Sequence, residues 1–156
     1  DCPLHDGQVI DKLIMAYKKG EYDYASNAIQ YTYPDGLDAE VFSFEALQQA
    51  FKEAGLMSER EHVTPFIRNN NSFKVLGVAA DKKYPIYRLT LDCIEDFELI
   101  RSIYEGIGKE YFSLDETIEY LDKNQHLAKI NDKYIANEGY AKSLKEDRII
   151  TSMGGE

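Results

Sequence analysis

Residues 32–47, TYPDGLDAEVFSFEAL, pack a turn, a short strand and a capped helix into one stretch. Pro34 presets φ for a turn, and Gly36 permits the left-handed backbone that a tight reversal needs. AEVFSF (39–44) then reads as a strand. Ser43 carries the hydroxyl that caps a helix from Phe44 to Glu53, and Gly55 stands where that helix closes. A strand running straight into a capped helix is the signature of an α/β chain, and the flanking sequence repeats it in both directions.

Upstream, Val9, Ile10, Leu13, Ile14 and Tyr17 recur at helical spacing, which predicts an amphipathic helix over 8–19 ended by Gly20. YDYASNAIQYTY (22–33) alternates and is rich in Tyr and Ile, the pattern of a strand. Tyr22, Tyr24, Tyr31 and Tyr33 would share one face of it and offer a surface to a second copy. Downstream, Ser58 and Glu61 have capping-box spacing and open SEREHVTPFIRNN (58–70), a helix interrupted by Pro65. SFKVLGVAA (72–80) and YRLTLD (87–92) read as strands. IEDFELIRSIYEGI (94–107) is a strongly periodic helix with Phe97, Ile100, Ile103, Tyr104 and Ile107 on one side. Ser113 caps a further helix, LDETIEYLDKN (114–124), and residues 125–156 read as a polar helical tail. The expectation is a single α/β domain over 1–156 with a mostly parallel sheet. No strand candidate precedes residue 20, and neither GxGxxG nor GxxxxGK occurs, so the common nucleotide loops are excluded by inspection.

Composition narrows the partners. The chain has 156 residues, 18 Lys plus Arg against 28 Asp plus Glu, and a net charge of −10. Such a field repels phosphate backbones, and Lys18-Lys19 and Lys82-Lys83 are too short to make a basic patch, so a nucleic-acid partner is not expected. No run approaches the roughly 18 apolar residues of a membrane helix. Two cysteines without a CxxC spacing fit a reducing cytoplasm rather than a zinc site or disulfide scaffold.

DCPL (1–4), TYPDGLDAEVFSFEAL (32–47), SEREHVTPFIR (58–68) and the pair LTLDCIEDFELIRSIY (89–104) and NEGYAKSL (137–144) together resemble the cytidylyltransferase family of spore-coat polysaccharide biosynthesis proteins. These are relatives of the acylneuraminate and 3-deoxy-manno-octulosonate cytidylyltransferases. The segments stand in the family's order and run to about residue 145. The resemblance implies a partial nucleotide-diphospho-sugar-transferase-like (Rossmann-like) mixed sheet flanked by helices. It implies transfer of CMP from CTP to a sugar or sugar acid, with Mg²⁺ as cofactor and a homodimeric assembly. DCPL would close a strand in the middle of the sheet. The chain then corresponds to the C-terminal portion of such an enzyme, without the CTP-binding front part and catalytically incomplete, with an exposed sheet edge that another strand or copy must cover.

The resemblance also assigns residues. Asp1 and Asp92 match the family's two metal-binding, catalytic aspartates, the second within a VDxPED-like motif that here reads Asp92-Cys93-Ile94-Glu95-Asp96. From the residues alone, Asp92 reads as a helix cap and Asp1 as a turn residue, and the resemblance reverses that reading. Convergence of the two aspartates would bring Cys2 and Cys93 into one neighbourhood. Asp35, Asp38 and Glu40 surround the tight turn, either as an exposed acidic turn or as a site for a cation or polyhydroxylated sugar, and the resemblance favours the acceptor side of the cleft. Arg60, Glu61, His62 and Arg68 are either a solvated helix face or, as the resemblance implies, part of the acceptor pocket or dimer seam. Asn27 and Arg88 are polar residues on predicted strands and further substrate-binding candidates. His5 and His126 stand isolated. A non-catalytic dimerisation or regulatory piece is the alternative from another class. A glycosyltransferase-like domain ranks last, since no DxD run supports it.

Overall fold

The computed structural model describes residues 1–134 and 138–150. Helix α1 (Gly7–Lys18) starts where the Asp6 carboxylate accepts a hydrogen bond from the Gln8 N–H at 2.8 Å, and it turns Val9 and Leu13 inward. The sheet has three strands in the order β2-β1-β3. The central strand β1 (Tyr24–Ser26) pairs antiparallel with β2 (Glu40–Phe42) and parallel with β3 (Val75–Gly77). It is the mixed sheet that the family resemblance implies, rather than the mostly parallel one expected from the order of elements. Tyr24 packs with Ala46, Ala50 and Ile67 on one face, while Ala25 packs with Leu13 and Val78 on the other, as strand alternation requires.

All four strand expectations shrink, two of them for evident local reasons. The 22–33 strand is reduced to three residues because Ser26 Oγ accepts from the Ala28 N–H at 2.9 Å and turns the chain out of the ladder. Its tyrosines therefore share no face: Tyr24 is fully buried, Tyr31 is 69% exposed and Tyr33 stacks on Tyr84. The 87–92 segment is extended but joins no sheet. Its backbone binds loops instead: the Asp35 N–H donates to Tyr87 O at 3.0 Å, the Leu89 N–H to Asp35 O at 2.8 Å and the Leu91 N–H to Asp1 O at 2.6 Å.

The helices follow their caps. Ser43 Oγ accepts from the Ala46 N–H at 3.0 Å and starts α2 (Phe44–Glu53). Helix α3 (Met57–His62) begins two residues earlier than the Ser58 box implies. Glu59 reaches back to the Gly55 and Leu56 N–H groups, while the Ser58 hydroxyl donates to Asp147 Oδ2 at 2.7 Å. Pro65 ends one helix and occupies the first turn of the next, α4 (Pro65–Asn69), as a residue with no N–H to lose. Helix α5 (Ile94–Ile107) buries Leu99, Ile100 and Ile103, leaving Phe97 46% and Tyr104 37% exposed, so its apolar stripe is narrower than the periodicity suggests. Ser113 and Glu116 form the capping box of α6 (Leu114–Lys123), and α7 (Glu138–Lys145) follows a single 3₁₀ turn at Leu127–Lys129. Leu4, Leu37 and Leu89 join α5 and α6 in the largest core cluster. Among the described residues no helix is long and apolar enough to cross a membrane.

Candidate active site

Arg88 is the hub of the site. Its Nε donates to Asp96 Oδ1 at 3.0 Å, and its Nη2 donates to Asp96 Oδ2 at 2.9 Å and Asp92 Oδ2 at 2.8 Å. Its Nη1 lies 3.6 Å from Asp35 Oδ2. Asp96 is fully buried and also accepts from Asn131 Nδ2 at 2.7 Å, the Asp92 N–H at 3.0 Å and the Cys93 N–H at 3.2 Å. Burial alone would raise the Asp96 carboxyl. The Arg88 guanidinium, the Asn131 amide and the two N–H groups outweigh it and hold Asp96 well below the usual carboxylate range. Asn131 completes the frame by donating to Arg88 O at 3.0 Å. Neither Asp96 nor Asn131 is among the residues singled out from the sequence, yet together they fix the rotamer of Arg88 and through it Asp92.

A tight turn leads from this hub to a cavity. Gly36 has φ +94°, and a Cβ there would lie 2.6 Å from the Leu89 carbonyl carbon, so only glycine fits. Asn27, buried, splints the far side of the turn: its Nδ2 donates to Leu37 O at 2.8 Å and its Oδ1 accepts from the Ala39 N–H at 2.7 Å. Both of its polar ends serve the backbone, so it shapes the turn rather than facing the cleft. Asp35 looks back to Arg88; burial raises its carboxyl, Arg88 opposes this and Asp92 adds to it. Its Oδ2 is buried without a hydrogen-bond partner.

Asp38 looks the other way, into a cavity of about 700 Å³ lined also by Tyr24, Ser26, Glu40, His62, Arg68 and Tyr140. Burial, then Asp35, then Glu40 push the Asp38 carboxyl up to about 6. Glu40 accepts from the hydroxyls of Tyr24 and Thr64, the latter at 3.0 Å. The Arg68 guanidinium lies 4.8 Å above the Tyr140 ring. His62 Nε2 sits 2.9 Å from Ser143 Oγ, and that hydroxyl donates to Glu61 at 2.9 Å. Helix α7 thus supplies one wall.

The cavity gathers Asp38, Glu40, His62 and Arg68; the hub gathers Asp35, Arg88 and Asp92; Asp1 is tied to the hub by its carbonyl. Arg60 points away, with its Nε on Ala54 O at 3.1 Å and its guanidinium over Phe51, and Glu61 is exposed beside α7. Cys2 and Cys93 are free, half-buried thiols, and burial followed by Asp38, Asp92 and Asp35 pushes Cys2 up.

Three comparisons bear on what this arrangement is. No protein-family model matches the chain. It is 32% identical over 135 residues to the spore coat polysaccharide biosynthesis protein SpsF of Bacillus subtilis, covering 82% of this chain and 54% of that one. Its fold superposes on the structure of a cytidylyltransferase from Leptospira borgpetersenii serovar Hardjo-bovis with a TM-score of 0.78 and 29% identity, over 88% of this chain and 58% of that one. By homology the chain belongs to the cytidylyltransferase family. An uncharacterised Methanocaldococcus jannaschii protein, MJ1063, is 38% identical over 136 residues, 84% of this chain and 54% of its own length. The chain spans about half the length of the curated relatives it matches.

Cytidylyltransferase chemistry calls for a divalent cation, and the donor set here fits a particular kind of site. The hub offers hard carboxylate oxygens, one of them Asp35 Oδ2, which accepts no hydrogen bond among the described residues, and another on Asp92, whose side chain is 55% exposed. Among the described residues no three His, Cys, Asp or Glu side chains converge as a metal cage. Mg²⁺ takes one or two protein carboxylates and completes its shell with water and substrate phosphates, and the Asp35 and Asp92 oxygens are ligands of that kind.

Proposed function

We propose that this chain carries the acceptor-binding and carboxylate part of a cytidylyltransferase that transfers CMP from CTP to a sugar or sugar acid for surface polysaccharide. The observation that carries the reading is the turn at residues 34–39, which sets Asp35 at the Arg88–Asp92 hub and Asp38 at the cavity. An acceptor seated against Asp38, Glu40 and Arg68 then lies next to the carboxylates that meet the triphosphate. The acceptor hydroxyl oxygen forms its bond to the α-phosphorus, the bond from that phosphorus to the pyrophosphate oxygen breaks, and the hydroxyl proton leaves to solvent. Asp1 and Asp92 would hold Mg²⁺, which neutralises phosphate charge and orients the leaving group. The hub's own work is positional: Asp96 and Asn131 keep Arg88 in place, and Arg88 keeps Asp92 facing the cleft. We place the protein in the cytoplasm, where CTP is available, and expect a homodimer.

The test is a calorimetric titration of CTP with Mg²⁺ into the chain and its Asp92→Ala variant. Binding that requires Asp92 is the expected result. Absence of any binding by the wild-type chain would favour the non-catalytic, dimerisation or regulatory reading.

A further inference from the structure

A turn distant in sequence closes one side of the Arg88 hub. Residues 131–134 reverse the chain, with the Tyr134 N–H donating to Asn131 O at 3.2 Å. At one end of the turn the buried Asn131 side chain donates to Asp96 and to the Arg88 carbonyl. At the other end the guanidinium carbon of Arg88 lies 5.5 Å from the centre of the Tyr134 ring. The phenol is itself anchored: its hydroxyl donates to Glu95 Oε2 at 3.0 Å and borders the Cys93 thiol. Glu95 also accepts from Lys133 Nζ, whose charge lies 5.0 Å from the centre of the same ring. Cys93 and Glu95 start α5, directly after Asp92. A single turn therefore grips both Arg88 and the segment that presents Asp92.

These contacts restrain one planar group in different directions. Asp96 and Asp92 hold the edge of the guanidinium that carries Nε and Nη2. Edge contacts leave the faces to water or to a neighbouring ring. The Arg88 side chain is only 14% exposed, and Tyr134 lies over its face. A ring there limits the tilt of the guanidinium and keeps water from competing with the carboxylates for its donors. Tilt matters most at Nη1, which lies 3.6 Å from Asp35, beyond hydrogen-bond reach. One guanidinium cannot neutralise the three carboxylates of Asp35, Asp92 and Asp96. Its tilt decides how its charge is shared between Asp35 and Asp92, and so what remains for a cation.

We infer that Tyr134 is a positioning residue of the cation site, acting through Arg88 to hold the Asp92 carboxylate where it receives a divalent cation. The inference rests on the reading of the hub as the cation end, and it assigns the 131–134 turn to that end.

The experiment follows free Mn²⁺ by electron paramagnetic resonance as the chain and two variants are titrated, with and without CTP. Tyr134→Leu removes the ring, and Tyr134→Phe keeps it while removing the hydroxyl. Tyr134 belongs to none of the core clusters, so neither change removes support from the fold. Expected are about a tenfold loss of Mn²⁺ affinity in Tyr134→Leu and less than about a twofold change in Tyr134→Phe, the scale on which neighbours of metal ligands act. The Arg88 Nε–H resonance of the labelled chain supplies a readout that general loosening does not imitate. It should move in Tyr134→Leu, where the ring's field is gone, and stay in Tyr134→Phe, while the β1 amides keep their exchange protection in both. Wild-type Mn²⁺ affinity in Tyr134→Leu would overturn the positioning role and leave the cation site standing. Equal weakening by Tyr134→Phe would overturn it as well, by assigning the effect to the hydroxyl. A wild-type chain that binds no Mn²⁺, with or without CTP, would overturn both.

Discussion

Asp96 and Asp92 lie four residues apart and do different work. Asp96 is buried and receives five hydrogen bonds, two of them from Arg88, whereas Asp92 is half exposed and shares only the outer Nη2. Removing one partner of a buried ion pair strands the other charge, so Asp96→Ala should cost about 3–5 kcal/mol in denaturant unfolding. Asp92→Ala breaks a solvent-screened pair and should cost less than about 1 kcal/mol, which makes it the clean functional variant. Asp38 gives the opposite sign. Its folded pKa, about 6, lies above that of a free aspartate, so the folded chain binds the extra proton between the two values. Stability from this group is therefore full below about pH 4 and is lost as pH rises through 6. Asp38→Asn should stabilise the chain by roughly 1–2 kcal/mol at pH 7 and by nothing near pH 4, read from chemical denaturation at both pH values. A variant no more stable at pH 7 than the wild type would contradict this account of Asp38.

At the scale of elements, local chemistry decided what the sequence revealed. The 34–55 stretch was legible because Pro34, Gly36 and Ser43 act on their immediate neighbours, and the turn, β2 and α2 appear where those residues put them. The 22–33 strand was not, because the side chains of Ser26 and Asn27 bind backbone that alternation does not record. Asp35, Arg88 and Asp92 could be named in advance. Asp96 reads as an ordinary first-turn acid, though Cys93 ahead of it has no oxygen to cap with, and that is the available clue. Asn131 reaches Asp96 across 35 residues, and no periodicity carries such a contact. The same holds for the strap that closes the cavity. Ser58 binds Asp147, His62 meets Ser143, and the Met57 N–H donates to Arg148 O at 2.9 Å, so α7 is clamped to α3. Ser58→Ala should speed hydrogen exchange in α7 at least severalfold while leaving the amides of β1 unchanged. Equal protection in α7 would mean that the other contacts hold the strap alone.

Across the whole molecule the net charge is −10, and two core clusters carry the two halves of the site. The largest core cluster, with α5 and α6, supports the Arg88 hub, and the smaller cluster beneath Tyr24 supports the cavity; the 34–39 turn spans the two. The fold class was readable from strands running into capped helices, but the mixed pairing of the sheet came from the family resemblance and not from the residues, since strand direction depends on contacts distant in sequence. The central claim is that the hub is the cation- and triphosphate-facing end and the cavity the acceptor end of one site. The most direct measurement is paramagnetic broadening by Mn²⁺ added with CTP to the isotopically labelled chain, followed residue by residue. The account predicts that amides of residues 1–2 and 91–93 broaden first, that those of 64–68 follow later, and that Asp92→Ala abolishes the early set. Broadening centred away from the hub, or unchanged in Asp92→Ala, would contradict it.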